Sequence, residues 1–163
     1  MERISVFDIF KVGIGPSSSH TMGPWKAALA AANIQFDINS IEKVQVHLYG
    51  SLAKTGKGHG TDIAVQLGLE DYQAETIPVE LVNTRIEEIA NQKQINLFGK
   101  KPIAFDPSLD ILFHKDESLP YHPNGLSFEF TLSNQEKIRD TYFSVGGGFI
   151  VKEGEEDEAS TKS

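Results

Sequence analysis

Two segments of the sequence concentrate hydroxyl, imidazole and amino groups between glycines and prolines. The first is GIGPSSSHTMGP, Gly13 to Pro24, in which three consecutive serines precede a histidine and a threonine. The second is TGKGHGTD, Thr55 to Asp62, in which Lys57 and His59 alternate with glycines. Neither composition suits a hydrophobic core, because a buried polar group without a partner costs free energy. Both segments are therefore candidate binding or catalytic loops.

The serine-rich segment is suited to bind an anion. It stands directly ahead of a predicted helix, where free backbone N–H groups and the helix dipole favour negative charge. Hydroxyl and imidazole groups add hydrogen-bond donors for a carboxylate or a phosphate, and they belong to Ser17, Ser18, Ser19, His20 and Thr21. The same residue types are also typical of a helix cap and turn that bind nothing. Both interpretations are open at this point.

The glycine-rich segment would hold a cation and an imidazole close to a bound group. Glycine at alternate positions lets the backbone approach a ligand or adopt left-handed dihedrals, so Lys57 and Gly58 are predicted binding residues. His59 stands just ahead of a predicted helix, whose N-terminal potential disfavours imidazolium and keeps the ring available as a base. A histidine in such a loop is also commonly a solvated surface residue.

The sequence partly matches three better-known motifs but lacks residues that each of them requires. A dinucleotide-binding fingerprint fails because Ser18 stands where its third glycine is required. A phosphate-binding loop around Lys57 fails because Ser51 replaces a required glycine and Gly58 replaces the hydroxyl residue that would bind magnesium. The five histidines have no partner at three- or four-residue spacing. A zinc site built within this chain is therefore not expected.

Helices and strands that position these loops are indicated by apolar periodicity. The patterns predict a helix from Pro24 to Asn33, a strand from Ile41 to Tyr49, a short helix through Glu70 capped by Thr61 or Asp62, and a helix from Pro78 to Asn91. Four β-favouring runs follow, Ile95–Phe98, Ile111–His114, Leu126–Leu132 and Ile138–Val145. Strands clustered after helices favour an α+β two-layer sandwich over a doubly wound parallel sheet.

Turns are predicted at Asn124-Gly125 and over Ser133–Glu136. Three glycines, Gly146 to Gly148, interrupt the β pattern of YFSVGGGFIV, which then resumes. Glycines there cost conformational entropy without adding packing. Either a ligand or a partner approaches that backbone closely, or the chain makes a tight hairpin or bulge.

Composition restricts the class of protein. A length of 163 residues suits one domain, predicted over residues 1–152, and residues 153–163 read as an acidic disordered tail or a linker. The net charge of −8 has the wrong sign for nucleic-acid binding. No apolar run is long enough to span a membrane and the start does not resemble a secretory signal, so a cytoplasmic location is expected. The absence of cysteine excludes disulfides, thiol catalysis and thiolate-held metal centres from this chain.

Three stretches together resemble the N-terminal beta domain of the bacterial iron–sulfur-dependent L-serine dehydratases, also called L-serine ammonia-lyases. They are KVGIGPSSSHTMGP, YGSLAKTGKGHGTD and YFSVGGGFIVKE. The resemblance extends from about Ile4 to Lys152, and neither loop motif departs from the family pattern. It implies an α/β sandwich similar to the allosteric substrate-binding domain of some D-3-phosphoglycerate dehydrogenases.

The resemblance also implies a function. The family converts L-serine to pyruvate and ammonia with a 4Fe-4S cluster that three cysteines of a separate alpha domain hold, and the site forms where the two domains meet. Ser17 to Thr21 match the motif that faces the substrate carboxylate, and His59 matches the candidate base. Iron of the cluster acts as a Lewis acid on the serine hydroxyl. This chain has no cysteine, so an alpha domain or subunit must bring the cluster, and the chain alone is expected to be inactive.

Several alternatives are open from the sequence. The chain is either a separate beta subunit or the leading part of a longer chain, and either His20 or His59 is the base. A regulatory module that binds serine or another small anion is the main competing function. A purely structural docking role is a third. An exposed half-site also implies an apolar contact with the alpha partner and self-association of this chain without it.

Overall fold

The computed structural model describes residues 19–33, 37–55 and 60–154. All five of its helices precede β4: α1 Met22–Ala30, α2 Gly50–Thr55, α3 Thr61–Leu69, α4 Val79–Gln92 and α5 Pro107–Asp110. The strands are β1 Ile41–Tyr49, β2 Gln94–Leu97, β3 Lys101–Ala104, β4 Ile111–His114, β5 Gly125–Leu132, β6 Lys137–Gly146 and β7 Phe149–Lys152. Short 3-10 turns cover Ala31–Asn33 and Ile38–Ser40. Within the described ranges no helix combines the length and the apolar character that crossing a bilayer requires.

The main sheet has five strands in the order β4-β1-β5-β6-β7. Only the β1–β4 pair is parallel, and the remaining neighbours are antiparallel. Strands β2 and β3 form a separate antiparallel pair. The predicted α+β two-layer sandwich is therefore confirmed, because helices pack on one face of a mostly antiparallel sheet.

Helices α1, α3 and α4 cover one face of the sheet, because apolar and polar side chains alternate along β1 and β5. Val44, Val46 and Leu48 of β1 point to the helices and are fully buried, as are Phe128 and Phe130 of β5. Full burial of one such side chain contributes about 1.5–3 kcal/mol. The small alanines of α1 let this helix approach the sheet closely, and α1 also packs against α3.

Most predicted elements are confirmed within one or two residues. Strands Ile41–Tyr49 and Ile111–His114 have the predicted bounds, and the helix predicted from Pro78 begins one residue later. The triglycine segment is a hairpin turn between β6 and β7, in which all three glycines have positive φ values, 104°, 62° and 81°. Left-handed dihedrals explain why glycine occupies these positions.

Residues 50–55 form α2, a helix that the sequence patterns did not predict. Two predictions of local structure are wrong. Neither Thr61 nor Asp62 caps α3, because Gly60 occupies the cap position with φ 100° and makes no side-chain bond. Gly125 belongs to β5 and not to a turn, since the hydrogen bonding of the strand continues to its neighbour Asn124. The acidic tail beyond Gly154 lies outside the described residues.

The opposite face of the sheet is polar. His47 of β1 and His114 of β4 are stacked, and His47 Nδ1 lies 2.8 Å from His114 Nε2. Glu129 of β5 and Arg139 of β6 flank His47, at 3.7 Å and 3.2 Å from its Nε2 atom. Tyr49 stacks on His114 and accepts a hydrogen bond from Arg139. Burial, Arg139 and His114 lower the pKa of His47, and Glu129 opposes them.

Domain stability is expected to fall as the pH drops below about 6.5, the ordinary pKa of histidine. Because the pKa of His47 is lowered in the folded domain, the unfolded chain binds a proton at a higher pH than the folded domain does. The stability that neutral His47 contributes above that pH is therefore lost as the pH falls toward the pKa of the folded state. In His47→Gln the loss of stability with falling pH should be smaller. Some loss should remain, because the pKa of His20 is also lowered in the folded domain. Thermal unfolding followed by circular dichroism at several pH values measures this. An unchanged decline in the variant would contradict the assignment to His47.

Candidate functional site

His20 connects the two polar segments. Its ring lies between two hydroxyls, with Ser19 Oγ 3.0 Å from Nδ1 and Ser51 Oγ 2.9 Å from Nε2. Ser51 belongs to the first turn of α2, the helix that leads into the glycine-rich segment. The serine-rich segment and the start of this helix are thus joined through one imidazole.

The far end of the glycine-rich segment also reaches His20. Thr61, the first residue of α3, donates a hydrogen bond from its hydroxyl to the backbone carbonyl of His20 at 2.5 Å. This contact explains why Thr61 does not cap its own helix, since its hydroxyl is used elsewhere. The starts of α2 and α3, the two helices on either side of residues 56–59, therefore both contact the same histidine.

Only some predicted site residues are among the described ones. The structure places Ser19, His20 and Thr21 together at the start of α1. The remaining predicted residues lie outside the described ranges, namely Ser17, Ser18, Lys57, Gly58 and His59. The roles assigned to those five stay predictions.

The environment of His20 favours the neutral imidazole. Burial lowers its pKa, and a hydrogen bond to the backbone of Ser51 partly opposes this effect. Hydroxyl groups both donate and accept, so either neutral tautomer can satisfy the two bonds that the ring makes. Because both ring nitrogens already have hydroxyl partners, His20 is held in a fixed orientation between Ser19 and Ser51.

Two residues without a predicted role, Asn124 and Ser144, connect β6 to the start of α2. The Ser51 N–H donates to the carbonyl of Pro123, at 3.0 Å. The next residue, Asn124, pairs with Ser144 of β6 through two bonds: the Ser144 N–H donates to the Asn124 carbonyl at 3.0 Å, and Asn124 Nδ2 donates to the Ser144 carbonyl at 3.2 Å.

Two glycines permit the close packing of this region. A Cβ atom on Gly23 of α1 would lie 1.8 Å from Ser144 Oγ, so only glycine lets α1 contact β6 there. At Gly50 a Cβ atom would lie 2.3 Å from the Pro123 carbonyl oxygen, and its φ value is 53°. Glycine is required at both positions by contact, and at Gly50 also by backbone conformation.

Three buried polar atoms around the start of α1 and its contact with β6 have no hydrogen-bond partner among the described residues. They are Thr21 Oγ1, Asn124 Oδ1 and Ser144 Oγ. Their residues are at least nine-tenths buried, with exposures of 1%, 9% and 0%. An unsatisfied buried polar atom costs about 1–3 kcal/mol. Such groups are typical of a site that gains hydrogen bonds when a polar ligand is bound.

The residues present do not fit an iron–sulfur cluster. The sequence contains no cysteine, the usual cluster ligand. Within the described part of the chain, no group of three or more His, Asp or Glu side chains is placed to hold a metal ion. The side chains that bond His20 in the described residues are the hydroxyls of Ser19, Ser51 and Thr61, which suit a small organic anion better than a metal.

Comparison with known proteins shows the family of this chain. The model of the family described as serine dehydratase beta chain matches residues 5–155. The chain is 46% identical over 154 residues to L-serine dehydratase of Streptomyces coelicolor, covering 92% of this chain and 34% of that protein. For L-serine dehydratase 2 of Escherichia coli the identity is 40%, covering 96% and 36%. The chain thus spans about a third of the length of these relatives, and it belongs to the serine dehydratase beta chain family.

Proposed function

We propose that this chain is the beta part of an L-serine dehydratase, which deaminates L-serine to pyruvate and ammonia together with a cysteine-bearing alpha domain. The observation that carries the proposal is the junction at His20, where Ser51 of α2 and Thr61 of α3 both bond the serine-rich segment. Relatives named L-serine dehydratase support the reaction.

The serine-rich segment would bind the substrate carboxylate. Ser17, Ser18, Ser19, His20 and Thr21 precede α1, and the first-turn N–H groups of this helix have no partner within the helix. Hydroxyls and N–H groups that converge on an anion act as fixed donors. They also stabilise the negative charge that develops when the neighbouring Cα proton is removed.

The base that removes the Cα proton would be His59. The structure favours it over His20 because both ring nitrogens of His20 already have hydroxyl partners. The proton passes from Cα to the His59 imidazole, and the electron pair forms the Cα–Cβ double bond as the C–O bond breaks. The departing hydroxide takes up one proton from solvent and becomes water. The resulting enamine becomes an imine, and hydrolysis releases ammonia and pyruvate.

The 4Fe-4S cluster is assigned to the alpha domain, because this chain has no cysteine to hold it. In this proposal the beta part contributes the carboxylate site and the base, and the alpha part completes the site. Lys57 and Gly58 would approach the substrate from the glycine-rich segment.

Reconstitution tests whether pyruvate formation requires both the beta chain and the alpha chain. The purified chain alone should form no pyruvate from L-serine, and anaerobic mixing with a separately purified cysteine-bearing alpha chain should produce it. The alpha chain alone is the matched control and should also be inactive. Pyruvate from the isolated beta chain would contradict the proposal. Activity of the alpha chain alone, with the beta chain only changing its serine dependence, would instead assign a regulatory role.

A further inference from the structure

The β6–β7 hairpin exposes large apolar side chains. Phe149 is 69% exposed and Val145 is 38% exposed, and they flank the turn Gly146 to Gly148. The described part of the chain has two other large hydrophobic side chains with comparable exposure, Leu109 and Tyr121. A concentration of exposed apolar area within five residues is typical of an interaction site. Among the strands that the structure describes, β7 is also an edge of the sheet, with no strand paired on its outer side.

This hairpin is continuous with the site around His20. Ser144, whose buried hydroxyl touches Gly23, directly precedes exposed Val145. The turn itself lies against α1, since Gly148 faces Met22 and Lys26. A body that covers the hairpin would therefore reach the edge of the site.

The charge beside the hairpin is positive. The Nζ atom of Lys26 lies 5.8 Å from the centre of the Phe149 ring, a cation–π contact. Lys26 is exposed, and none of the ion pairs among the described residues includes it. An apolar face that carries a carboxylate would match both the ring and the ammonium group.

We infer that Val145, Phe149 and Lys26 form the docking surface for the alpha part of the enzyme, through an apolar face of that part with a carboxylate opposite Lys26. The inference rests on the proposed function. The relatives are about three times as long as their match to this chain, so a body about twice the size of this domain must be placed against it. The hairpin has exposed apolar area and lies beside the site, and Lys26 of α1 adds a positive charge next to it. A partner that completes the site requires these features.

The test titrates beta-chain variants into a fixed amount of the cysteine-bearing alpha chain and measures pyruvate formation. The double variant Val145→Ser with Phe149→Ser should raise the half-saturating concentration of the beta chain at least tenfold, and activity should recover at saturation. Lys26→Glu, on a different element, should also raise it. The matched control is Leu109→Ser, which is 68% exposed and precedes β4 at the opposite edge of the sheet. The control should titrate like the wild type.

The outcomes separate this inference from the proposed function. If the wild-type mixture makes no pyruvate, the proposed function fails. If the wild-type mixture is active and both variants titrate like it, only the docking surface is wrong. Sedimentation of the isolated chain provides a further check, because a dimer that the double variant abolishes would assign the hairpin to a second copy instead. Thermal unfolding of Lys26→Glu confirms that a weaker titration does not come from loss of the fold.

Discussion

Replacing His59 with alanine is expected to lower the turnover number of the assembled enzyme by about two to four orders of magnitude, with little change in KM for serine. A base acts on the proton that moves in the transition state, so its removal affects turnover more than ground-state binding. Steady-state pyruvate formation at several serine concentrations measures both parameters. Equal losses in turnover and in serine binding would count against the role of base.

Variants of His20 provide the matched comparison. In His20→Gln the side-chain amide can still bond Ser51, whereas His20→Ala removes the contacts to both Ser19 and Ser51. If His20 orients the serine-rich segment, the glutamine variant should retain more activity than the alanine variant, and KM should rise in the latter. A comparable loss of turnover in both His20 variants, with near-normal turnover in His59→Ala, would exchange the two roles.

The Arg85→Met substitution is expected to destabilise the domain by about 3–5 kcal/mol. The Arg85 guanidinium makes two bonds to the Glu70 carboxylate, at 2.6 Å and 2.8 Å, and the Asn96 N–H donates to the same carboxylate. The Glu70 side chain is only 2% exposed, so removing its partner leaves a buried charge uncompensated. Urea unfolding followed by circular dichroism measures the change, and Tm should fall by roughly 10 °C.

The neighbouring Glu88 offers a control on the same guanidinium. Its carboxylate lies 2.9 Å from Arg85 Nη1, but its side chain is 43% exposed. Exposed ion pairs contribute about 0–1 kcal/mol, so Glu88→Gln should change stability little. Arg85→Lys should fall between the two, because lysine keeps the charge but not the two parallel bonds. A stability of Arg85→Met within about 1 kcal/mol of the wild type would show that Glu70 finds another partner.

Local patterns predicted most of the secondary structure because each depends on residues close in sequence. Strand Ile41–Tyr49 follows from alternation, and helix Val79–Gln92 follows from apolar residues three and four positions apart. Helix α2 was missed because its start is set by distant groups. The Gly50 N–H donates to the Glu117 carbonyl and the Ser51 N–H donates to the Pro123 carbonyl. The sequence around α2 contains no local pattern that predicts those bonds.

The sequence by itself determined which residue types could serve a carboxylate site, and it indicated the family through two loop motifs and a triglycine turn. Tertiary structure decided which groups meet. His20 bonds Ser51 and Thr61, which are 31 and 41 positions away in the chain. Asn124 and Ser144 pair with each other across 20 positions, although neither one had a role predicted from the sequence. Periodicity reports which face of an element is buried, but contacts between distant segments depend on how helices and strands pack, and packing is a property of the whole chain.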